Sequence, residues 1–190
     1  SVAPPFRWTS KLSAQHTVVK MRLIQSQRTL EIPEGVTVDI DARNVTVTGE
    51  RGTLNRSFKH VSVELTKEGD NKIVLSMYFG NRKQLACLRT VESHIKNMIT
   101  GVTRGYTYKM RMAYAHFPIT IEFEEGLLLV KNFIGQRLSR ALKMPEGVQV
   151  VKSGDVKDQL EITGNDIDAV SQMAALIHGS TRVIGKDIRK

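Results

Sequence analysis

Apolar and polar residues alternate with a period of two along much of the first half of the chain. Val36, Val38 and Ile40 are separated by Thr37 and Asp39, and Val45 and Val47 by Thr46. Successive side chains of an extended strand point to opposite faces, so this period predicts half-buried β-strands. Gly49-Glu50-Arg51-Gly52 supplies the turn residues that reverse the chain into a further strand over 53–58. Val61, Val63 and Leu65, then Ile73, Leu75 and Met77, repeat the alternation on either side of the turn-forming stretch Lys67-Glu68-Gly69-Asp70-Asn71. The expected product is an antiparallel meander. The period then becomes helical. Leu85, Leu88, Val91, Ile95, Met98 and Val102 recur three or four apart, the spacing of one buried helix face. Gly101 and Gly105 read as the stop of that helix.

The second half repeats the scheme. Phe117, Ile119, Ile121 and Phe123 alternate, and 127–130 is a short apolar run. A second helix is expected over 166–181, with Ile167, Val170, Ala174 and Ile177 on one face and Asn165-Asp166 at its cap. A direct repeat ties the halves together. Ile32-Pro33-Glu34-Gly35-Val36 recurs as Met144-Pro145-Glu146-Gly147-Val148. The strand Val45-Thr46-Val47-Thr48-Gly49 follows the first copy, and Leu160-Glu161-Ile162-Thr163-Gly164 follows the second. Two matches in the same order and at near-equal spacing indicate duplication. The fold class is therefore α/β of the α+β type. It comprises two duplicated small domains, 21–104 and 105–190, each an antiparallel-rich sheet with one helix packed across it.

Charge adds a partner. The 28 Lys and Arg outnumber the 19 Asp and Glu, giving a net charge of +9, which points to a polyanion. The cations cluster. From 81 to 111, Arg82, Lys83, Arg89, Lys96, Arg104, Lys109 and Arg111 face the single acid Glu92. Lys131, Arg137, Arg140 and Lys143 form a block without any acid, and Arg182, Lys186, Arg189 and Lys190 face only Asp187. Blocks at helix ends and loops suit phosphate contact. The start of the first helix, Asn81-Arg82-Lys83, puts two cations where the helix dipole is already positive, an arrangement an anion would relieve. Asp166 and Asp168 at the start of the second helix would repel phosphate. With aromatics at 6%, no strand offers the stacking platform of a single-strand binder. Backbone and shape recognition of folded RNA is expected instead.

Other chemistries lack a constellation. Cys87 is the only cysteine, and the five histidines are scattered. Cys87 and His94 lie seven apart on one side of a helix, but a nucleophile–base pair also requires an orienting group and an oxyanion site. No enzyme activity, metal, cofactor or small-molecule substrate is expected. No apolar run approaches the roughly 18 residues of a membrane span. The first 30 residues hold Arg7, Lys11, Lys20, Arg22 and Arg28 and no acid. They read as a basic tail without fixed structure, as an extension ahead of a start at Met21, or as a transit peptide.

Several runs carry a family resemblance. Gly80-Asn81-Arg82-Lys83, Gly101-Val102-Thr103, Gly105-Tyr106-Thr107-Tyr108-Lys109-Met110-Arg111 and Tyr114-Ala115-His116-Phe117-Pro118-Ile119 resemble the large-subunit ribosomal proteins called L-six in bacteria and L-nine in eukaryotes, as do Gly164-Asn165-Asp166-Ile167 and Lys186-Asp187-Ile188-Arg189-Lys190. The likeness covers about 21–190, and its Tyr-Lys-Met-Arg and Tyr-Ala-His-Phe-Pro-Ile runs are those of the eukaryotic and archaeal branch. Residues 1–20 have no counterpart in it. The resemblance implies a structural protein of the cytoplasmic ribosome, with neighbouring ribosomal proteins as partners. It also implies that the second domain meets large-subunit rRNA near the factor-binding and sarcin–ricin region, with Lys186, Arg189 and Lys190 as an RNA-facing tail. The phosphate contacts expected from charge and resemblance together are Arg104, Lys109, Arg111, Arg137, Arg140, Lys143, Arg182, Lys186, Arg189 and Lys190. An organellar form, or an extraribosomal module using the first domain, is the alternative.

Overall fold

The computed structural model describes residues 24–187 except Asp70 and Asp155. The basic extension at 1–20 and the tail residues Arg189 and Lys190 lie outside the described residues. Chain order is β1 (Gln25–Glu31), β2 (Thr37–Asp41), β3 (Asn44–Gly49), β4 (Gly52–Ser57), β5 (Glu64–Glu68), β6 (Lys72–Tyr78), α1 (Arg82–Thr103), β7 (Tyr106–Arg111), β8 (Thr120–Glu124), β9 (Leu127–Lys131), β10 (Arg140–Lys143), β11 (Val148–Lys152), β12 (Gln159–Gly164) and α2 (Ile167–Ser180).

The alternating residues do what their period demands. Val38, Val45 and Val47 point inward and are almost wholly buried, as are Ile73 and Leu75, while the intervening Thr37 and Thr48 stay exposed. The stripe Leu88, Val91, Ile95, Met98 and Val102 of α1 closes this first core. A second, separate core is built from Ile121, Leu128, Val130, Val150, Leu160 and Ile162 under Val170, Met173, Ala174 and Ile177 of α2. The duplication and the antiparallel α/β class are as the sequence indicates.

The strands are partitioned more finely than a single meander. Each unit holds two three-stranded antiparallel sheets, ordered β2-β3-β4 and β1-β6-β5 in the first and β11-β12-β7 and β10-β9-β8 in the second. The meander breaks after β4. There Phe58 donates its N–H to Arg43 O at 2.7 Å, and Val61 donates to Phe58 O at 3.0 Å, turning the chain away before β5.

Aligned on the Pro-Glu-Gly marker, the two copies share strand positions but not strand order. The strand before the marker, β1 or β10, is an outer strand, and the two after it form a hairpin, β2–β3 or β11–β12. The remaining three come after the hairpin in the first copy (β4, β5, β6) and before it in the second (β7, β8, β9). The second copy is thus a cyclic permutation of the first, and the helix follows β6 in one and β12 in the other. The marker itself is unchanged. Gly35 and Gly147 sit at φ +83 and +76, a left-handed turn position that glycine adopts without strain. The glycines ending β3 and β12 are equivalent too. A Cβ on Gly49 would lie 2.7 Å from Val102 Cγ2 of α1, and one on Gly164 would lie 2.6 Å from Val170 Cγ2 of α2. Each lets its helix lie directly on a strand end.

Candidate nucleic-acid interface

The described cations divide into free and engaged ones. Arg104 caps the C-terminus of α1 and is exposed, as are Arg111 at the end of β7, Arg137 in the loop before β10, and Lys143 at the end of β10. Arg182 and Lys186 follow α2 and are exposed as well. None of these six forms an ion pair among the described residues. They keep whole charges for an external anion.

Lys109 does not stand free. It sits opposite Glu161 in the β7–β12 register, and its amine lies 3.5 Å from the Glu161 carboxylate. Lys131 on β9 pairs with Glu122, diagonally across on β8. Arg140 is half-buried. Its guanidinium lies 4.8 Å from the Phe133 ring centroid, and Nη2 donates to Gln136 Oε1 at 2.5 Å. Its Nη1 is buried with no hydrogen-bond partner among the described residues. A cation laid over a ring in this way braces the loop as well as carrying charge.

At the other end of the molecule, Asn81 is the N-cap of α1, and its N–H donates to Gln84 Oε1 at 2.8 Å. The first helical turn has no acid, and Arg82 and Lys83 are exposed. The start of α2 is used differently. Asp166 Oδ1 accepts the Asp168 N–H at 3.0 Å. The Asp168 carboxylate lies 2.7 Å from Arg56 Nη1 of the first domain. The acidic helix start is thus engaged by its own neighbour.

Charge patterns did not reveal a cavity of about 450 Å³ beside the C-terminal segment, lined chiefly by Tyr114, His116, Phe117, Phe133, Ile134 and Lys186. The loop forming one wall is strained. Asn132 and Ile134 have φ of +59 and +53, which for a β-branched residue costs about 1–3 kcal/mol. Asn132 Nδ2 donates to Pro118 O at 2.9 Å and ties this loop to the Phe117 strand entry. The only advance signal was the Tyr-Ala-His-Phe-Pro-Ile run, which gave no shape.

The fold does not assemble Cys87 and His94 into a pair. Cys87 Sγ donates to Lys83 O at 3.4 Å, whereas His94 packs against Phe58, with ring centroids 6.3 Å apart. Burial, reinforced by the positive charge of Arg56, holds the His94 pKa below its ordinary 6.5; Asp168 opposes the shift and His60 adds to it. The unfolded chain therefore takes up the proton first as pH falls. Stability should decline from pH 6.5 downward and level off once the folded pKa is passed. Urea midpoints across that range would show it, and a His94→Gln variant should lack this component. Among the described residues no group of three His, Cys, Asp or Glu could hold a metal ion, and no helix is long and apolar enough to cross a membrane.

Known proteins match this chain along most of its length. A family model described as Ribosomal protein L6 matches it twice, over residues 32–105 and 119–190. The chain is 50% identical over 171 residues to "Large ribosomal subunit protein uL6A" of Schizosaccharomyces pombe, covering 89% of this chain and 90% of that protein. It is 48% identical to "Large ribosomal subunit protein uL6" of Candida albicans over 90% of this chain and 91% of the relative. The protein of that name from Staphylothermus marinus is 39% identical over 84% and 86%. The duplicated match and the near-full-length relatives establish that the chain belongs to the ribosomal protein L6 family.

Proposed function

We propose that the protein is a structural, non-catalytic constituent of the cytoplasmic large ribosomal subunit that binds and braces large-subunit rRNA. The observation that carries this reading is half-identity across nine-tenths of both chains to proteins named for that subunit. The geometry agrees with it. Exposed cations without an ion pair among the described residues lie on both domains. Those expected to meet phosphate on the second domain and at its junction with the first are Arg104, Arg111, Arg137, Lys143, Arg182 and Lys186, all of them exposed. These, with the tail residues Arg189 and Lys190, serve as phosphate contacts. Lys109 joins them by exchanging its exposed contact with Glu161 for a phosphate, and Arg140 contributes from its braced position on Phe133. Asn81, Arg82 and Lys83 form a second anion site at the start of α1. The second domain faces the factor-binding and sarcin–ricin region, and neighbouring ribosomal proteins cover other surfaces.

The test is sedimentation. Tagged protein expressed in yeast should travel with large-subunit particles and stay with them through a high-salt wash. Recovery in the soluble fraction at low salt would sink the reading.

A further inference from the structure

Two sequence motifs singled out by the family resemblance, Gly101-Val102-Thr103 and Gly164-Asn165-Asp166, meet in space with no role yet assigned to their meeting. Gly101 lies inside α1 rather than at its stop. A Cβ there would sit 2.1 Å from the backbone oxygen of Asn165, so only glycine allows the second domain to approach so closely. The Asn165 side chain then makes a reciprocal pair with Arg51, in the two-residue turn between β3 and β4. Arg51 Nε donates to Asn165 Oδ1 at 3.1 Å, and Asn165 Nδ2 donates to Arg51 O at 2.9 Å. Arg51 is held in turn by α1, its N–H donating to Val102 O at 3.1 Å. Its guanidinium covers Gly105, where a Cβ would lie 2.9 Å from Cζ. The Arg56–Asp168 ion pair flanks the same crossing.

The chain passes between the domains at Gly105, and a single covalent passage would leave a swivel. A second attachment through Asn165 removes it. We infer that Arg51, Gly101 and Asn165 are positioning residues for RNA binding: they latch the two domains into one rigid body that presents both cationic regions in fixed relation. The inference rests on the RNA-binding reading above. Its mechanical basis is α1, whose 22 residues span about 33 Å. Arg82 and Lys83 stand at one end of that rod, and the latch holds the second domain at the other. RNA contacts at both ends then form without the entropy of first ordering the domains.

The latch predicts a signature that loss of phosphate contacts does not share. In full-length Asn165→Ala the pair with Arg51 is gone, yet no phosphate-binding cation is removed. Solution X-ray scattering of the free protein should show a broadened interdomain distance distribution. Affinity for deproteinised large-subunit rRNA from Saccharomyces cerevisiae should fall about tenfold, with the slope of affinity against salt unchanged. Asn165→Asp, which keeps the acceptor for Arg51 Nε, should recover part of the loss. Arg51→Ala, on an exposed turn, provides the same test without touching α2. Scattering identical to wild type in both alanine variants would overturn the latch. Broadened scattering with undiminished affinity would overturn its role in binding. A wild-type protein whose RNA affinity ignores salt would instead remove the RNA-binding reading on which that role depends.

Discussion

Changing Arg137, Lys143, Arg182 and Lys186 together to alanine is expected to weaken binding to large-subunit rRNA about a thousandfold at roughly 0.15 M salt. Each phosphate neutralised by a lysine or arginine releases close to one condensed counterion, worth about 1 kcal/mol at that salt, so four contacts contribute about 4 kcal/mol. If about six phosphates are contacted in all, the wild-type log–log salt slope is roughly −5 and the variant's about −2. The four side chains are exposed and make no ion pair among the described residues, so the thermal midpoint should hardly move. The measurement is a salt titration of RNA binding alongside a melting curve. An unchanged slope would show that these cations face solvent in the complex; a lower midpoint would show that they support the fold.

The second large effect lies in the core of the second domain. Ile162 is fully buried at the centre of β12, between Val150 on β11 and Tyr108 on β7 in the ladder. Ile162→Ala should cost about 2–5 kcal/mol, a large part of what a small domain has in total. Urea unfolding followed by amide exchange should show the second core opening at lower denaturant while Val47 and Ile95 in the first stay protected. Leu138, 68% exposed, is the control, and its alanine variant should change stability by no more than about 0.5 kcal/mol. Equal losses at both positions would contradict the burial described above.

What could be read in advance follows from which signals are local. The Pro-Glu-Gly repeat, the alternating valines and the two helical stripes are short-range patterns, and each produced its element. Strand β1 escaped because Gln-Ser-Gln-Arg-Thr-Leu-Glu buries only Leu30; its place is fixed by the backbone ladder to β6, which hydropathy does not encode. The permuted strand order escaped because periodicity finds strands without naming their partners. Gly101 read as a helix stop because a glycine near a helix end usually is one; its true constraint is an atom 64 residues further along the chain. The cationic blocks were legible as blocks. Which members are free was not, since Lys109 and Lys131 meet their carboxylates only through cross-strand register, and Arg140 meets Phe133 only once the left-handed loop is formed.

The cyclic strand order also bears on synthesis. In the first unit the earliest strand zips to the last, Gln25 opposite Tyr78, and in the second Tyr106 lies opposite Gly164. Neither unit can finish its sheets until its final strand has been made, because the longest-range ladder in each waits for that strand. A chain emerging from the exit tunnel should therefore acquire protease resistance in two abrupt steps, once α1 has followed β6 and again once α2 has followed β12 to close each core, with a half-made, sticky intermediate before each.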